Sequence, residues 1–146
     1  SSSTFNVHKN SMGYYSIPIF FYSANESDSL KGRITYEIQQ TDISPTILKY
    51  LDYPDNYLAF GNDAFDTESD HFAVNFTNNF YQFIQNGYVL HFDGTKSVAL
   101  YNYTIDKGLK KNIIGENAEV VLYMEHALKA YIQHYNNRVL NNEMIP

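Results

Sequence analysis

The sequence predicts an α+β protein in which a four-stranded antiparallel sheet is covered by one long C-terminal helix. From residue 72 onward, apolar residues alternate with a period of two in four short segments separated by tight-turn residues. From residue 117 onward, apolar residues recur at helical spacing. The first fifty residues add an apolar run and a short amphipathic segment, which predict a strand–helix unit ahead of the sheet.

The composition is that of one globular domain and argues against several functions. The 146 residues suffice to bury a core without disulfides or metal. A net charge of −6 argues against a nucleic-acid partner, because no basic stripe is available to meet phosphates. The absence of cysteine excludes a disulfide framework, a thiolate nucleophile and a cysteine-based zinc site. No apolar run approaches the roughly 20 residues that span a bilayer, and no signal peptide is present.

The first predicted element is a strand in the apolar run "YYSIPIFFYSA", after a polar and aperiodic tail. A short continuous run of β-forming residues is typical of a strand buried on both faces. Pro18 indicates that the strand starts at this point or lies at a sheet edge, because proline has no N–H to donate to a neighbouring strand. The next segment, "ITYEIQQ", alternates only weakly.

The second element is a short helix in "QQTDISPTILKYLDY". Asp42 or Ser44 can accept a hydrogen bond from the first turn, and Pro45 is tolerated at an early helical position. The helix is expected to end by Asp52, ahead of Tyr53-Pro54. One face carries the apolar residues Ile43, Ile47, Leu48 and Leu51. This face predicts a helix docked on a sheet.

Four strands and a long helix follow. The strands are predicted in "FAVNFTN", "FYQFIQ", "YVLHFD" and "SVALYNYT", and their tyrosine and phenylalanine content predicts that both faces of the sheet are at least half covered. The turns between them, Asn78-Asn79, Asn86-Gly87 and Asp93-Gly94, can adopt the positive φ of tight hairpins. The helix follows Asn117 as its cap, with Glu125 and Lys129 paired on its solvent side. Its apolar stripe comprises Val121, Met124, Leu128, Tyr131, Ile132, Tyr135 and Val139.

The order of four motifs resembles a known family of enzymes. "IPIFFYSA", "QQTDISPTILKYLDY", "AFGNDAF" and "YNYTIDKGLKKNI" are similar to the C-terminal part of bacterial sulfatase-like enzymes. The nearest branch is that of lipoteichoic acid synthase, a phosphoglycerol transferase of the alkaline phosphatase superfamily. The resemblance runs from about Tyr14 to the end. Its most specific element is Asp-Ile-x-Pro-Thr, followed by the leucine-rich turn and a short Phe-Gly segment.

The resemblance implies a metal-dependent transferase or hydrolase of the cell envelope. In that family a Thr or Ser, or formylglycine in true sulfatases, attacks phosphorus or sulfur while one or two cations neutralise charge. An early acidic residue, the nucleophile and a late Asp-His pair hold the cation. The parent enzyme would therefore use divalent Mn, Zn, Ca or Mg and act on sulfate esters or phosphodiesters. It would sit at the extracytoplasmic face of the cytoplasmic membrane.

The residues that would carry this chemistry are not identifiable in the chain. No Asp-His pair precedes Ile17, and the half that would hold the nucleophile is absent. Asp70-His71 has the right residue types but follows the Asp-Ile-x-Pro-Thr helix, so the metal role is not carried onto it. The sequence thus predicts no catalytic residue and no metal ligand. His8 alone occupies a place compatible with the family's substrate-binding histidine, where an imidazole would donate to an anionic oxygen. The alternative is a solvated histidine in a tail.

Three other groups of polar residues are expected to have no role in binding or catalysis. Residues 66–71, "DTESDH", lack the glycine turn and distal glutamate of an EF-hand loop and are expected to form a solvated acidic connector. His91 and Asp93 share one face of a strand and could pair or bind metal, but an exposed His–Asp pair is expected. His126 and His134 lie eight residues apart on the last helix, too far to chelate one ion, and are expected at the surface.

The tyrosines suggest a different class of function. A face with Tyr88, Tyr101 and Tyr103, with Asn102 or Gln82 beside it, could stack on sugar rings while the amides bind hydroxyls. The alternative, which is favoured, is that the rings fill the interface between sheet and helix and their hydroxyls reach water.

We therefore expect this chain to be the C-terminal part of an enzyme. Residues 1–64 would form the C-terminal edge of an alkaline-phosphatase-like α/β core, and residues 65–146 the antiparallel meander with its helix. The chain lacks an initial Met and would be a processed or excised piece, soluble and inactive without its nucleophile and metal. Its partner would be the catalytic N-terminal part of the same polypeptide, which would carry the membrane spans. Alone, it would dimerise or bury its apolar strand in some other way. The alternatives are a carbohydrate-binding module and a structural interaction domain.

Overall fold

The computed structural model describes residue 10, residues 12–24, residue 30 and residues 32–144. Two short 3-10 turns and one short helix, α1 (Ile43–Tyr50), precede a sheet and a long helix, α2 (Ala118–Leu140). The 3-10 turns are Gly13–Tyr15 and Gln40–Asp42, and the strands are β1 (Ala73–Thr77), β2 (Phe80–Gln85), β3 (Tyr88–Phe92) and β4 (Ser97–Asn102). The predicted α+β architecture, with a four-stranded antiparallel sheet and a long C-terminal helix, is confirmed.

The sheet is a simple meander in the order β1-β2-β3-β4, and each neighbouring pair is antiparallel. The turn residues Asn78, Asn79, Asn86, Gly87 and Gly94 all have positive φ. Asparagine and glycine adopt this conformation at the least cost, so the tight hairpins predicted from these residues are confirmed. A bulge between His91 and Phe92 shifts the register of β3 against β4.

One face of the sheet packs against α2 and forms the hydrophobic core. Phe83 pairs with Leu90 across β2 and β3, and Leu90 pairs with Leu100 across β3 and β4. Residues directly opposite each other on neighbouring antiparallel strands point to the same face, so these three lie together beneath the helix. Met124 and Leu128 of α2 complete the buried cluster. Phe92 is its remaining fully buried member.

The opposite face of the sheet is also covered. Ile84, Val89, Ala99, Gln82 and His91 belong to it by their register, and all five are buried. The coverage of both faces predicted from the aromatic content of the strands is therefore confirmed.

The segment before α1 is fastened across one end of the sheet by polar side chains. The Glu37 carboxylate accepts hydrogen bonds from the amide of Gly87 (3.1 Å) and the hydroxyl of Tyr103 (2.5 Å). The side-chain carbonyl of Gln39 accepts from the amide of Val74 (3.0 Å). Gly87 and Val74 belong to the same end of the meander, so residues 37–39 tie the first half of the chain to the second.

Two predictions for the first half of the chain are wrong. Residues 16–23 form no strand, and Phe20 and Tyr22 are 86% and 89% exposed. Helix α1 buries Pro45 and Thr46, whereas Ile47 is 43% exposed on the face that was expected to dock on a sheet. An apolar sequence favours burial only where a neighbouring layer exists, and the described residues provide none here.

Helix α2 is more closely attached to the sheet than predicted. It begins after Asn117, as expected, but the Asn117 side chain makes no capping bond to the first turn. The predicted pair is confirmed, with 2.6 Å between Lys129 Nζ and Glu125 Oε1. Glu125 also accepts from both the amide (3.1 Å) and the hydroxyl (2.6 Å) of Ser97, so it fastens the helix to β4 instead of facing only solvent.

No helix in the described part of the chain is long and apolar enough to cross a membrane.

Candidate functional site

The Asp-Ile-x-Pro-Thr motif carries the most ordered polar cluster in the first half of the chain. Asp42, only 4% exposed, accepts hydrogen bonds at both carboxylate oxygens. The amide of Asn62 donates to Oδ1 (2.9 Å), and the amide of Gln39 donates to Oδ2 (2.8 Å). Burial raises the pKa of Asp42, while these two amide bonds and the nearby His71 act in the opposite direction. The predicted cap to the first turn of α1 is wrong. The Asp42 carboxylate is bonded instead to the amide of Gln39 and to the amide of Asn62 in the Phe-Gly segment.

Thr46 forms the second connection to the same loop. Its hydroxyl is fully buried, donates to the carbonyl of Asp42 (2.5 Å) and accepts from the amide of Ala64 (2.8 Å). Gly61 lies close to the Asp42 carboxylate and the Thr41 backbone. A Cβ atom at this position would overlap both. The spacing of Asp42, just before α1, and Thr46, on α1, therefore matches two amides of one loop, those of Asn62 and Ala64. The motif and the Phe-Gly segment form a single interlocked unit, residues 39–46 with 61–64.

A buried aromatic pair lies beside this interlocked unit. The rings of Tyr36 and His71 stack with 4.1 Å between centroids and 17° between planes. The Tyr36 hydroxyl donates to the carbonyl of Ala64 (2.8 Å), and burial, followed by the charges of Asp63 and Asp66, raises its pKa. His71 Nε2 lies 2.6 Å from the carbonyl of Asp66, so Nε2 carries a proton. His71 Nδ1 is buried and has no hydrogen-bond partner among the described residues.

The hydrogen bonds of this unit have a structural role: they join residues 39–46 to residues 61–64. Both Asp42 oxygens accept hydrogen bonds from backbone amides, which hold the carboxylate between Gln39 and Asn62. Asp70 faces solvent while His71 is buried, so these two neighbours do not present a common pair of ligands. Within residues 10, 12–24, 30 and 32–144, no three His, Asp or Glu side chains are grouped closely enough to hold a metal ion. The residues present therefore do not fit the divalent metal that the resemblance implies for the parent enzyme.

His8, the predicted substrate-binding residue, lies outside the described residues. The acidic connector is exposed from Asp66 to Glu68, where Asp66 accepts from the amide of Glu68 and the hydroxyl of Ser69. The expectation of a solvated connector fails at His71, because stacking on Tyr36 buries its ring.

The prediction of an exposed His91–Asp93 pair is wrong. His91 is 9% exposed, stacks on Phe80 with 4.2 Å between centroids, and lies 3.2 Å from the side-chain carbonyl of Gln82. Burial lowers its pKa to about 4. Asp93 instead accepts from the amides of Thr95 and Lys96 in the hairpin turn. The bulge that follows His91 and the rings around it turn the imidazole into the sheet's second face.

The other two histidines lie where they were expected. His126 and His134 are both exposed on α2. His134 makes an edge contact with Phe60 (5.9 Å between centroids), which connects the helix to the Phe-Gly segment.

The tyrosine face proposed for sugar stacking does not exist. Tyr88 pairs with Asn102 on the helix side of the sheet, whereas Tyr101 pairs with Val89 on the other side. Tyr103 is held by Glu37, and burial is the main reason that its pKa is raised. Tyr88 packs against the core cluster, in agreement with the packing alternative.

Sequence reasoning missed a polar groove beside α2. It has a volume of about 400 Å³ and lies between Tyr81 and Phe92 of the sheet and the second half of the helix. Its wall carries the amide side chains of Gln133, Asn136 and Asn137. The signal was present in the sequence, because positions i, i+3 and i+4 of a helix share one face.

The sequence matches no protein-family model, no curated protein and no solved structure at a significant level.

Proposed function

We propose that this chain is the C-terminal supporting part of a sulfatase-like or phosphoglycerol-transferase-like enzyme that acts at the cell envelope. The observation that carries the proposal is the interlocked unit of residues 39–46 and 61–64, built on the motif that resembles this family. Two side chains of that motif, Asp42 and Thr46, form hydrogen bonds that hold the loop in place. We infer that they keep a structural role in the parent enzyme.

The apolar segment at residues 14–22 supports the proposal independently. Tyr14, Ile17, Phe20 and Tyr22 are all exposed, while Phe21 rests with 5.1 Å between ring centroids on Phe65, next to the interlocked unit. A run of apolar side chains exposed to water is a surface that another layer would cover. In the proposed parent, that layer is the α/β core.

The proposal divides the chemistry between two parts of one polypeptide. The preceding part would supply the Thr or Ser nucleophile and the residues that hold the divalent cation. This chain would supply a rigid platform: the sheet with its helix, and the interlocked unit that fixes how the apolar segment is presented. No catalytic step is assigned to a described residue of this chain.

Turnover measurements on the purified chain test this division. We expect no release of product from an aryl sulfate or a bis-aryl phosphodiester with added manganese, zinc, calcium or magnesium, because positioning without a nucleophile leaves no reaction to run. A heat-denatured sample provides the control. Metal-dependent turnover above that control, lost on removal of the metal, would refute the proposal.

A further inference from the structure

The groove beside α2 is an open depression in the surface, between the sheet and the second half of the helix. It is about 400 Å³ in volume, within the roughly 300–1,000 Å³ typical of ligand sites. One side is the hairpin end of the sheet, with Tyr81 and Phe92 paired across β2 and β3 and Gly94 in the turn. The other side is the second half of α2, from Lys129 to Asn137.

The floor of the groove is apolar and aromatic. Tyr81 is half-buried, and its ring is steadied by an edge contact with Phe76 (4.9 Å between centroids). Phe92 and Ile132 fill the space below, so the floor belongs to the core cluster and is held in place by it. Gly94 leaves open space beside it, because a Cβ there would meet no atom within 4 Å. An aromatic side chain in the lining of the groove suits a ligand that has an apolar face.

The wall of the groove supplies hydrogen bonds without charge. Gln133, Asn136 and Asn137 are exposed, and none of these amides makes a side-chain hydrogen bond within the described part of the chain. Each amide offers two donor hydrogens and an acceptor oxygen. Such a set matches hydroxyl groups, which both donate and accept.

The single charged side chain that lines the groove is already neutralised. Lys129 Nζ lies 2.6 Å from the Glu125 carboxylate and 5.2 Å from the centre of the Phe92 ring. An anionic ligand would have to compete with Glu125 for this ammonium group. The electrostatics of the groove therefore favour a neutral ligand over a sulfated or phosphorylated one.

We propose that this groove binds a neutral saccharide, with one face of a pyranose ring on Tyr81 and its hydroxyls on Gln133, Asn136 and Asn137. This site differs from the tyrosine face considered from the sequence, and it does not depend on the proposed function. It would allow the chain to bind a glycan whether or not the chain belongs to a larger enzyme.

The test is a titration of the whole chain with neutral trisaccharides, namely maltotriose, cellotriose and tri-N-acetylchitotriose. Amide chemical shifts measured by NMR locate the contact, and calorimetry gives the affinity. We expect at least one of the three to shift signals from Tyr81 and from residues 129–137. The double variant Asn136→Ala with Gln133→Ala should weaken that binding about tenfold or more, because two hydrogen bonds are lost.

Two further variants separate stacking from folding. Tyr81→Phe keeps the ring and should retain binding, whereas Tyr81→Leu keeps an apolar residue and should lose it. Tyr123→Ala is the matched control, because Tyr123 is exposed on the first half of α2, outside the groove. The proposal is overturned if none of the trisaccharides shifts the groove signals, if the double amide variant binds unchanged, or if a sulfated trisaccharide binds more tightly than its neutral counterpart. None of these outcomes bears on turnover, so the proposed function would stand or fall separately.

Discussion

At the scale of single residues, Asp42 and Thr46 show a motif that acts through hydrogen bonds to backbone amides. A buried carboxylate is costly unless its oxygens are bonded, and here the amides of Gln39 and Asn62 supply those bonds. The buried Thr46 hydroxyl serves as donor and acceptor at once. Removing either side chain would leave buried amides without a partner, which costs more than the bond itself contributes.

We expect Thr46→Val to lower the free energy of unfolding by about 1–3 kcal/mol, because the buried amide of Ala64 loses its acceptor while the shape of the side chain is kept. Urea denaturation measures the change. Thr46→Ser keeps the hydroxyl and should lose less stability. A Thr46→Ser variant that loses as much stability as Thr46→Val, or more, would contradict the leading role of the hydrogen bond.

The burial of His91 predicts a pH dependence of stability. Its pKa is about 4 in the folded chain and about 6.5 in the unfolded chain, so the unfolded state takes up a proton first as the pH falls. The stability due to neutral His91 is complete above pH 6.5 and declines between pH 6.5 and 4, by about 3 kcal/mol at most.

Thermal or urea unfolding of the wild type and of His91→Gln across pH 7 to 4 measures this contribution as a difference in slope. The wild type should lose stability more steeply than the variant. The exposed His126→Gln variant should keep the wild-type slope. Parallel profiles for the wild type and His91→Gln would contradict the burial of the neutral imidazole.

At the scale of elements, α2 and the sheet stabilise each other through a narrow contact. Met124 and Leu128 are the two buried residues of the helix, and they rest on Phe83, Leu90 and Leu100 of the sheet. Most of the helix stability must come from this packing, because a helix gains little from intrinsic propensity alone.

Leu128→Ala should therefore destabilise the chain by about 2–5 kcal/mol, as is usual when a buried leucine leaves a cavity. Chemical denaturation followed by circular dichroism measures the loss. Leu140→Ala, at the exposed end of the same helix, should change stability by less than about 0.5 kcal/mol. Similar losses at both positions would contradict the assigned core face.

The elements that were predictable from the sequence are those whose signal is local. Turn residues such as Asn86-Gly87 and the period-two strands fix the meander, and the apolar stripe fixes α2. Residues 16–23 were not predictable in this way, because a buried strand needs neighbours that the sequence pattern does not specify. The interlocked unit and the groove beside α2 also depend on tertiary structure: residues 42 and 62 are hydrogen-bonded, and residues 81 and 133 line the same groove. For His91, the bulge and the Phe80 ring overrode the local expectation of an exposed pair.

At the scale of the whole molecule, polar contacts join the two halves of the chain, while one apolar surface faces water. Glu37 and Gln39 fasten the first half to the sheet. Beyond them, Phe20 and Tyr22 of the apolar segment are almost fully exposed. We propose that the catalytic part of the same polypeptide covers this surface.

In the absence of that part, we expect the chain to self-associate through residues 14–22. Light scattering as a function of concentration should show a mass above 16.9 kDa at high concentration. The double variant Phe20→Ser with Tyr22→Ser should shift the chain toward monomer. Ile105→Ser removes an equally exposed apolar residue elsewhere and should leave association unchanged. A wild-type chain that stays monomeric throughout would count against an uncovered interface.

The most direct measurement of the central claim is the coding sequence upstream of Ser1. The account predicts that it encodes membrane spans followed by a domain with a Thr or Ser nucleophile and a late Asp-His pair, in the same reading frame. A start codon immediately before Ser1, or an upstream sequence with neither nucleophile nor Asp-His pair, would contradict it.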